Sequence, residues 1–565
     1  MNVLIKQDRG TTKISNYFSC FIILKLKNLF HLLSNTYQQY RKISIYIYYI
    51  SLTLIPVGLL FSRALLSIGF LAFISNWFIE GEFKQKWHLI KQYKADMIIS
   101  LILLIHIIGM LNTENIEYGL LDLKIKLPLL LPLFFGSSKS LLSVHKSSVF
   151  LNLFAFSTFI ATLTGFIKFE YILEYQTIDD LRNITIMGQN IMLSLFVNFS
   201  IFIFSKLLYT SWYIKGGFTR ISLIFCIIWL IIFQYLLNSL TGYITFIILV
   251  LYSLIFLLLR LNKKKLFFTI AIIIGLTGIS FSFYIHSVIN NFYEKEEIDF
   301  KMLDKYTVNG SLYSHNLASY RTENGHFIDI YICMDELENE WRKVSSMSLF
   351  GKDKKAQALS ETLIRYMSSR GLRKDSIGLH QLGKDEISYI ENGCANYKYI
   401  NKFSLESRIY NIIWQIETYK KTGIANAQSI SQRIEFLKSA QLIIRENFWF
   451  GVGTGDVMQT FNQTLEKNSP KLNSQFRNRV HNQYIVELAA LGFWGFVVFM
   501  FVIIYPIFKQ KIWNNYLFST FYLIILISFL TDNPLETQLG VGFFIYFYCL
   551  LVFKDIRIQH FANKK

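Results

Sequence analysis

Two arginines and a histidine stand directly before a long apolar run, in the stretch RNRVHNQYIVELAALGFWGF (477–496). The change from polar to apolar residues near Asn482 places His481 at or just before the start of a membrane helix. Helix N-termini and arginines both favour anions, so Arg477 and Arg479 predict a phosphate-bearing ligand here. The same positive surroundings are expected to keep His481 neutral, which leaves a ring nitrogen able to accept a proton.

The same pattern also fits a purely structural role. Arginines at the end of a membrane helix commonly extend to lipid headgroups, and His481 could simply cap the helix. On spacing alone this structural interpretation is the more common one, and both stay open.

A glycine-rich segment, NFWFGVGTGD (447–456), precedes this stretch. Its alternating glycines would let the backbone approach a ligand closely. No strand precedes them and no Lys-Ser/Thr follows, which argues against a nucleotide-binding loop. The local pattern favours a tight turn between a helix that ends near Phe448 and one that starts near Asp456, with Asp456 as N-cap.

Three further arginines, Arg365, Arg408 and Arg433, lie on predicted helices with apolar neighbours. Such arginines are usually solvated or salt-bridged, so each alone is weak evidence of a site. The histidines are scattered, with no His-x-x-x-His or Cys-x-x-Cys pair, and no Gly-x-Ser-x-Gly occurs. The sequence therefore predicts neither a metal site, nor a cofactor, nor a serine hydrolase.

The composition is that of a polytopic membrane protein. Of its 565 residues, 53% are hydrophobic and only 17% are charged. The net charge of +19 could suggest nucleic acid. Lysine and arginine in short cytoplasmic loops explain it better, so no nucleic-acid partner is predicted.

Apolar runs of membrane-spanning length predict an all-α polytopic fold with about twelve transmembrane helices. The predicted spans are 45–62, 64–79, 96–112, 127–140, 147–168, 188–208, 219–238, 240–260, 265–285, 482–507, 514–532 and 536–554. Lysines and arginines concentrate in alternate connections, which places both termini inside and the large domain between helices nine and ten outside.

Five segments follow from this topology. They are a basic cytoplasmic segment (1–42) with an interfacial helix, nine spans (43–285), an extracytoplasmic domain (286–480), three spans (481–555) and a cytoplasmic tail (556–565). Helical spacing in the extracytoplasmic domain predicts mainly helices. Cys333 and Cys394 in that domain could form a disulfide or remain as thiols.

Together these features resemble the O-antigen ligase and O-antigen polymerase superfamily of bacterial envelopes. The resemblance rests on the turn FGVGTGD, on HNQYIVELAALGFWGF at the head of a membrane helix, and on QRIEFLKSAQLIIREN upstream, where Arg433 takes the place of the family's loop arginine. It extends over about 45–555, is most specific over 430–500, and is closest to a branch with an enlarged external loop.

The resemblance implies transfer of a glycan from undecaprenyl diphosphate to lipid A-core or a growing glycan. It places the protein in the bacterial inner membrane, with a periplasmic active site and lipid as surroundings. The implied reaction inverts the anomeric centre without a metal, with His481 and Arg433 as catalytic residues. The predicted substrate-binding residues are Arg408, Arg477, Arg479, Asn482, Gly453, Gly455 and Tyr484.

One position departs from the family pattern. The family commonly carries an arginine at the external start of the eighth span, where this chain has Thr241-Gly242-Tyr243. Either Arg408 or Arg479 takes that role, or the diphosphate is held differently.

Four functions stay open. Ligase is preferred over polymerase from the placement of the large domain, and a protein oligosaccharyltransferase is a third enzyme of this kind. A transporter of lipid-linked glycan would need ionisable residues inside the spans, which are nearly free of them. Glu487 is an exception, and it should be paired or hydrated there.

Overall fold

The computed structural model describes residues 42–138, 144–175, 189–211, 217–260, 264–319, 321–401, 404–426, 428–477, 479–511 and 514–562. The interfacial helix predicted within the first 42 residues lies outside these ranges. Within these ranges nearly all regular structure is helical, as predicted. The described residues form two short β-strands, Thr322–Glu323 and His326–Phe327, which pair as an antiparallel hairpin.

The helices fall into a first membrane set, a polar set and a second membrane set. The first set is α1 (Lys42–Phe61), α2 (Arg63–Ile79), α3 (Phe83–Tyr93), α4 (Leu101–Gly109), α5 (Ile116–Lys126), α6 (Leu131–Ser137), α7 (Val144–Tyr175), α8 (Asn190–Ser211), α9 (Gly217–Leu236), α10 (Leu240–Arg260) and α11 (Lys264–Tyr293). The polar set is α12 (Met334–Val344), α13 (Leu359–Ser369), α14 (Ser376–His380), α15 (Lys384–Glu391), α16 (Leu405–Thr422), α17 (Ser429–Glu446) and α18 (Val457–Asn468). The second membrane set is α19 (Gln483–Lys509), α20 (Tyr516–Thr531) and α21 (Gln538–Ala562).

Among the described residues, seven helices are long and apolar enough to cross a membrane. An eighth span is possible if α2 and α3, which meet at a bend of 118°, count as one. Shorter apolar helices cover Ile98–Asn112, Tyr516–Thr531 and Gln538–Phe553. A multi-pass helical protein is therefore confirmed, whereas the count of about twelve stays a prediction.

The run predicted as a span near 127–140 does not form one uninterrupted α-helix. It begins as a 3-10 helix, Leu127–Leu130, and continues as the short α6. Pro128 and Pro132 each lie in the first turn of one of these pieces, where a missing N–H costs least.

The membrane core is centred on α21. The side chains from Phe543 to Val552 are all buried, which is expected of a helix surrounded by other helices. Phe547 illustrates the packing, because its ring centroid lies 4.6 Å from that of Phe154 and 5.0 Å from that of Phe199. Aromatic pairs at these distances add to the area they bury.

The described residues between α11 and α19 (294–482) contain seven α-helices and one short hairpin, and their place as a separate external domain stays a prediction. Helix α11 continues to Tyr293, beyond the predicted boundary at 285. The predicted break at Gly423 is present, since α16 ends there with a positive φ of 67°. Cys333 and Cys394 are not joined by a disulfide.

Candidate active site

The start of α19 is tied to the loop that follows α20. Asn482 is the N-cap of α19, and its side chain accepts a hydrogen bond from the Ile485 N–H at 3.1 Å. The Asn482 amide also donates to the Leu530 carbonyl at 3.1 Å, and the Gln483 N–H donates to the Asp532 carbonyl at 3.1 Å. These bonds bring His481 and Asp532 together across two membrane helices.

His481 pairs with Asp532. The Nδ1 atom of the imidazole lies 3.1 Å from Asp532 Oδ1, and both side chains remain about a quarter exposed, at 26% and 22%. With Nδ1–H donating to this carboxylate, a neutral imidazole has its lone pair on Nε2. The pair therefore leaves a proton-accepting nitrogen at a partly open position, and the carboxylate orients it.

Arg433 on α17 lies close to the His481–Asp532 pair. Phe436, one turn further along α17, has its ring centroid 6.4 Å from that of His481. Burial lowers the pKa of Arg433 and the nearby Asp532 carboxylate opposes this shift, so the guanidinium stays charged. Arg433 makes no hydrogen bond or salt bridge with another residue of the described ranges. An unpaired, half-buried cation favours an anionic ligand.

Arg477 and Arg479 contact groups other than the His481–Asp532 pair. The Arg477 guanidinium lies 3.5 Å from the Glu466 carboxylate on α18. Arg479 donates to the main-chain carbonyl of Glu536 at 2.9 Å and lines a small cavity with Asn533. The hydrogen-bond partner of His481 is thus a carboxylate, whereas the two arginines expected to surround it bond to other groups.

Arg408 on α16 reaches the beginning of α10. Its guanidinium donates to the Asn238 carbonyl and lies 5.3 Å from the centre of the Tyr243 ring. Its guanidinium therefore lies next to Thr241-Gly242-Tyr243, and its taking the role of the expected arginine stays a prediction. Tyr484, in contrast, packs between Phe499 and Phe529 on α19 and α20.

The glycine-rich turn packs against membrane helices. The N–H groups of Val452 and Gly453 donate to the carbonyls of Ala489 and Ala490 in α19, at 3.0 and 2.9 Å. These carbonyls are accessible because α19 is interrupted at Gly492, which has a φ of 65° and a ψ of −171°. The glycine-rich turn is thus hydrogen-bonded to α19 next to its break at Gly492.

A family model described as O-antigen ligase matches residues 396–500. These residues, about a fifth of the chain, are similar to O-antigen ligases, and we call them the ligase-like segment. The match confirms the resemblance to that superfamily and includes Arg408, Arg433, the glycine-rich turn and His481. No curated protein matches the chain.

The Asp456 side chain has a different role from the one predicted. Its carboxylate makes no capping bond to α18. It accepts hydrogen bonds from the N–H groups of Glu114 and Asn115, both at 2.7 Å. Asp456 does occupy the predicted N-cap position of α18, but its side chain does not cap that helix. The carboxylate instead satisfies free N–H groups at the start of α5, which joins the turn to the first membrane set.

Replacement of Gly455 by alanine is expected to destabilise the protein rather than to weaken substrate binding. A Cβ atom there would lie 2.3 Å from the Asn115 carbonyl oxygen, so backbone must move, at a cost of about 1–3 kcal/mol. The loss would appear as a lower Tm in detergent. Gly275→Ala on α11 is the matched control, because its Cβ would meet open space. An unchanged Tm with impaired donor binding would instead support the predicted ligand contact.

Sequence reasoning did not find the partners of two acidic residues, Asp532 and Glu487. Asp532 follows an apolar run on the same side of the bundle as His481, and its only signal was the polar segment TDNPLE (531–536) between two spans. Glu487 Oε1 accepts a hydrogen bond from Gln483 at 2.8 Å, whereas Oε2 has no hydrogen-bond partner among the described residues and lies 3.4 Å from His106 Nε2. A contact between α4 and α19 of this kind leaves no trace in local sequence.

Proposed function

We propose that the protein is a membrane glycosyltransferase of the O-antigen ligase type. It transfers a glycan from undecaprenyl diphosphate to lipid A-core at the periplasmic face of the bacterial inner membrane. The observation that carries this proposal is Arg433, a half-buried cation without a salt bridge in the described ranges, which lies beside the His481–Asp532 pair and inside the ligase-like segment.

The geometry supports a single displacement that inverts the anomeric carbon. The acceptor hydroxyl oxygen attacks that carbon while its bond to the diphosphate oxygen breaks, and the electron pair leaves with the diphosphate. His481 Nε2 takes the hydroxyl proton, and Asp532 stabilises the resulting imidazolium. Arg433 meets the negative charge that develops on the diphosphate, so the proposal requires no metal ion.

Reconstitution distinguishes the ligase from its alternatives. Purified protein in liposomes is supplied with the undecaprenyl-diphosphate glycan of the source strain and with its lipid A-core. A ligase is expected to shift lipid A-core to lower gel mobility, and omission of lipid A-core should leave the carrier-linked glycan unchanged.

Two other results would contradict a ligase. Longer glycans on the carrier without lipid A-core would identify a polymerase. Movement of intact donor between leaflets without any transfer would identify a transporter.

A further inference from the structure

A buried ionic cluster lies under the acidic turn, which we define as residues 532–536. The Lys126 ammonium contacts both carboxylate oxygens of Asp122, at 2.6 and 2.7 Å, and Glu536 Oε1 at 3.0 Å. All three side chains are buried, with exposures of 0%, 5% and 6%. Charges with so little access to water persist only when they are paired, so these contacts constrain their backbones strongly.

The acidic turn connects α5 to His481 through the side chains at its two ends. Glu536 at its end is held by Lys126 of α5, and Asp532 at its beginning binds His481. Between them, the Leu535 N–H donates to the Gln483 side chain at 3.0 Å. Arg479 also holds the turn, because its guanidinium donates a hydrogen bond to the main-chain carbonyl of Glu536. The turn is therefore fixed to α5 and to the start of α19 together.

We infer that Lys126 is a positioning residue that acts through the acidic turn to hold Asp532, and hence His481, in place. This inference rests on the proposed function. Lys126 itself is completely buried among carboxylate oxygens and cannot reach a substrate. Its effect is indirect, because a loosened turn would let the His481 imidazole leave the orientation that directs Nε2 to the acceptor.

Lys126→Met should lower kcat by about tenfold to a hundredfold while KM for the donor changes by less than about twofold. Lys126→Arg keeps a cation between the two carboxylates and should restore most of the rate. Lys124→Met is the matched control, because Lys124 lies on the exposed face of the same helix. Glu536→Leu provides a second test if Lys126→Met does not fold, since it leaves the Asp122–Lys126 pair balanced.

A double-mutant cycle with Asp532→Asn separates positioning from general stability. If Lys126 acts through Asp532, Lys126→Met should change kcat by less than about twofold in the Asp532→Asn background. The same loss in both backgrounds, or a full-rate Asp532→Asn protein, would overturn the inference and leave the proposed function standing. Absence of any glycan transfer by the unaltered protein in the reconstituted assay would instead refute the proposed function itself.

Discussion

Replacement of His481 by alanine is expected to reduce glycan transfer by about a hundredfold to ten-thousandfold, the range for loss of a general base. The geometry gives the reason. Asp532 holds Nδ1, so Nε2 is the atom that can take the acceptor proton, and within the described ranges no other imidazole is paired with this carboxylate. His481→Gln should be nearly as inactive, because an amide can keep a hydrogen bond to Asp532 but cannot accept a proton at neutral pH.

The measurement is the glycan pattern of cells that carry each variant at normal protein level. Long glycans on the carrier with bare lipid A-core indicate loss of a ligase, whereas single repeats on both indicate loss of a polymerase. His286→Ala is the matched control, since His286 is exposed on α11 and contacts Asn290 one turn away. A normal pattern in the His481→Ala strain would return this residue to the structural role of capping the helix.

The sequence pattern predicted most of the helices and several of their ends. The apolar runs at 219–238 and 240–260 correspond closely to α9 and α10. Helical spacing and Gly423 also predicted α16 and its end. These features depend on neighbours within a few residues, for which periodicity and backbone preference are sufficient evidence. The resemblance then placed His481 and Arg433 in one site, which their spacing alone does not establish.

The contacts that complete the site could not be predicted in this way. Asp122 and Lys126 have the spacing of a helical ion pair, but before Pro128 they look like a polar connection at the membrane surface. Their burial depends on Glu536, which comes from the last loop of the chain. His481 and Asp532 likewise meet because α19 and α20 are antiparallel. Such pairs are set by tertiary packing, and one sequence contains no direct record of it.

Arg433→Ala is expected to remove about a hundredfold or more of the transfer rate, and more than Arg408→Ala removes. The difference follows from their partners. Arg408 is already bonded to the Asn238 carbonyl and lies over the Tyr243 ring, so it gives up contacts when it binds a diphosphate. Arg433 has no salt bridge within the described part of the chain, and its charge is available to the leaving group.

Stability distinguishes this role from a structural one. Loss of an unpaired, half-buried cation should leave Tm unchanged or raise it, because its desolvation is no longer a cost of folding. Arg433→Lys should recover only part of the rate, since an ammonium cannot bind two phosphate oxygens as a planar guanidinium does. Arg445→Ala, at an exposed position of the same helix, is the control. Equal losses from Arg433→Ala and Arg408→Ala would contradict the ranking, and a fall in Tm with the loss of rate would show that Arg433 supports the fold.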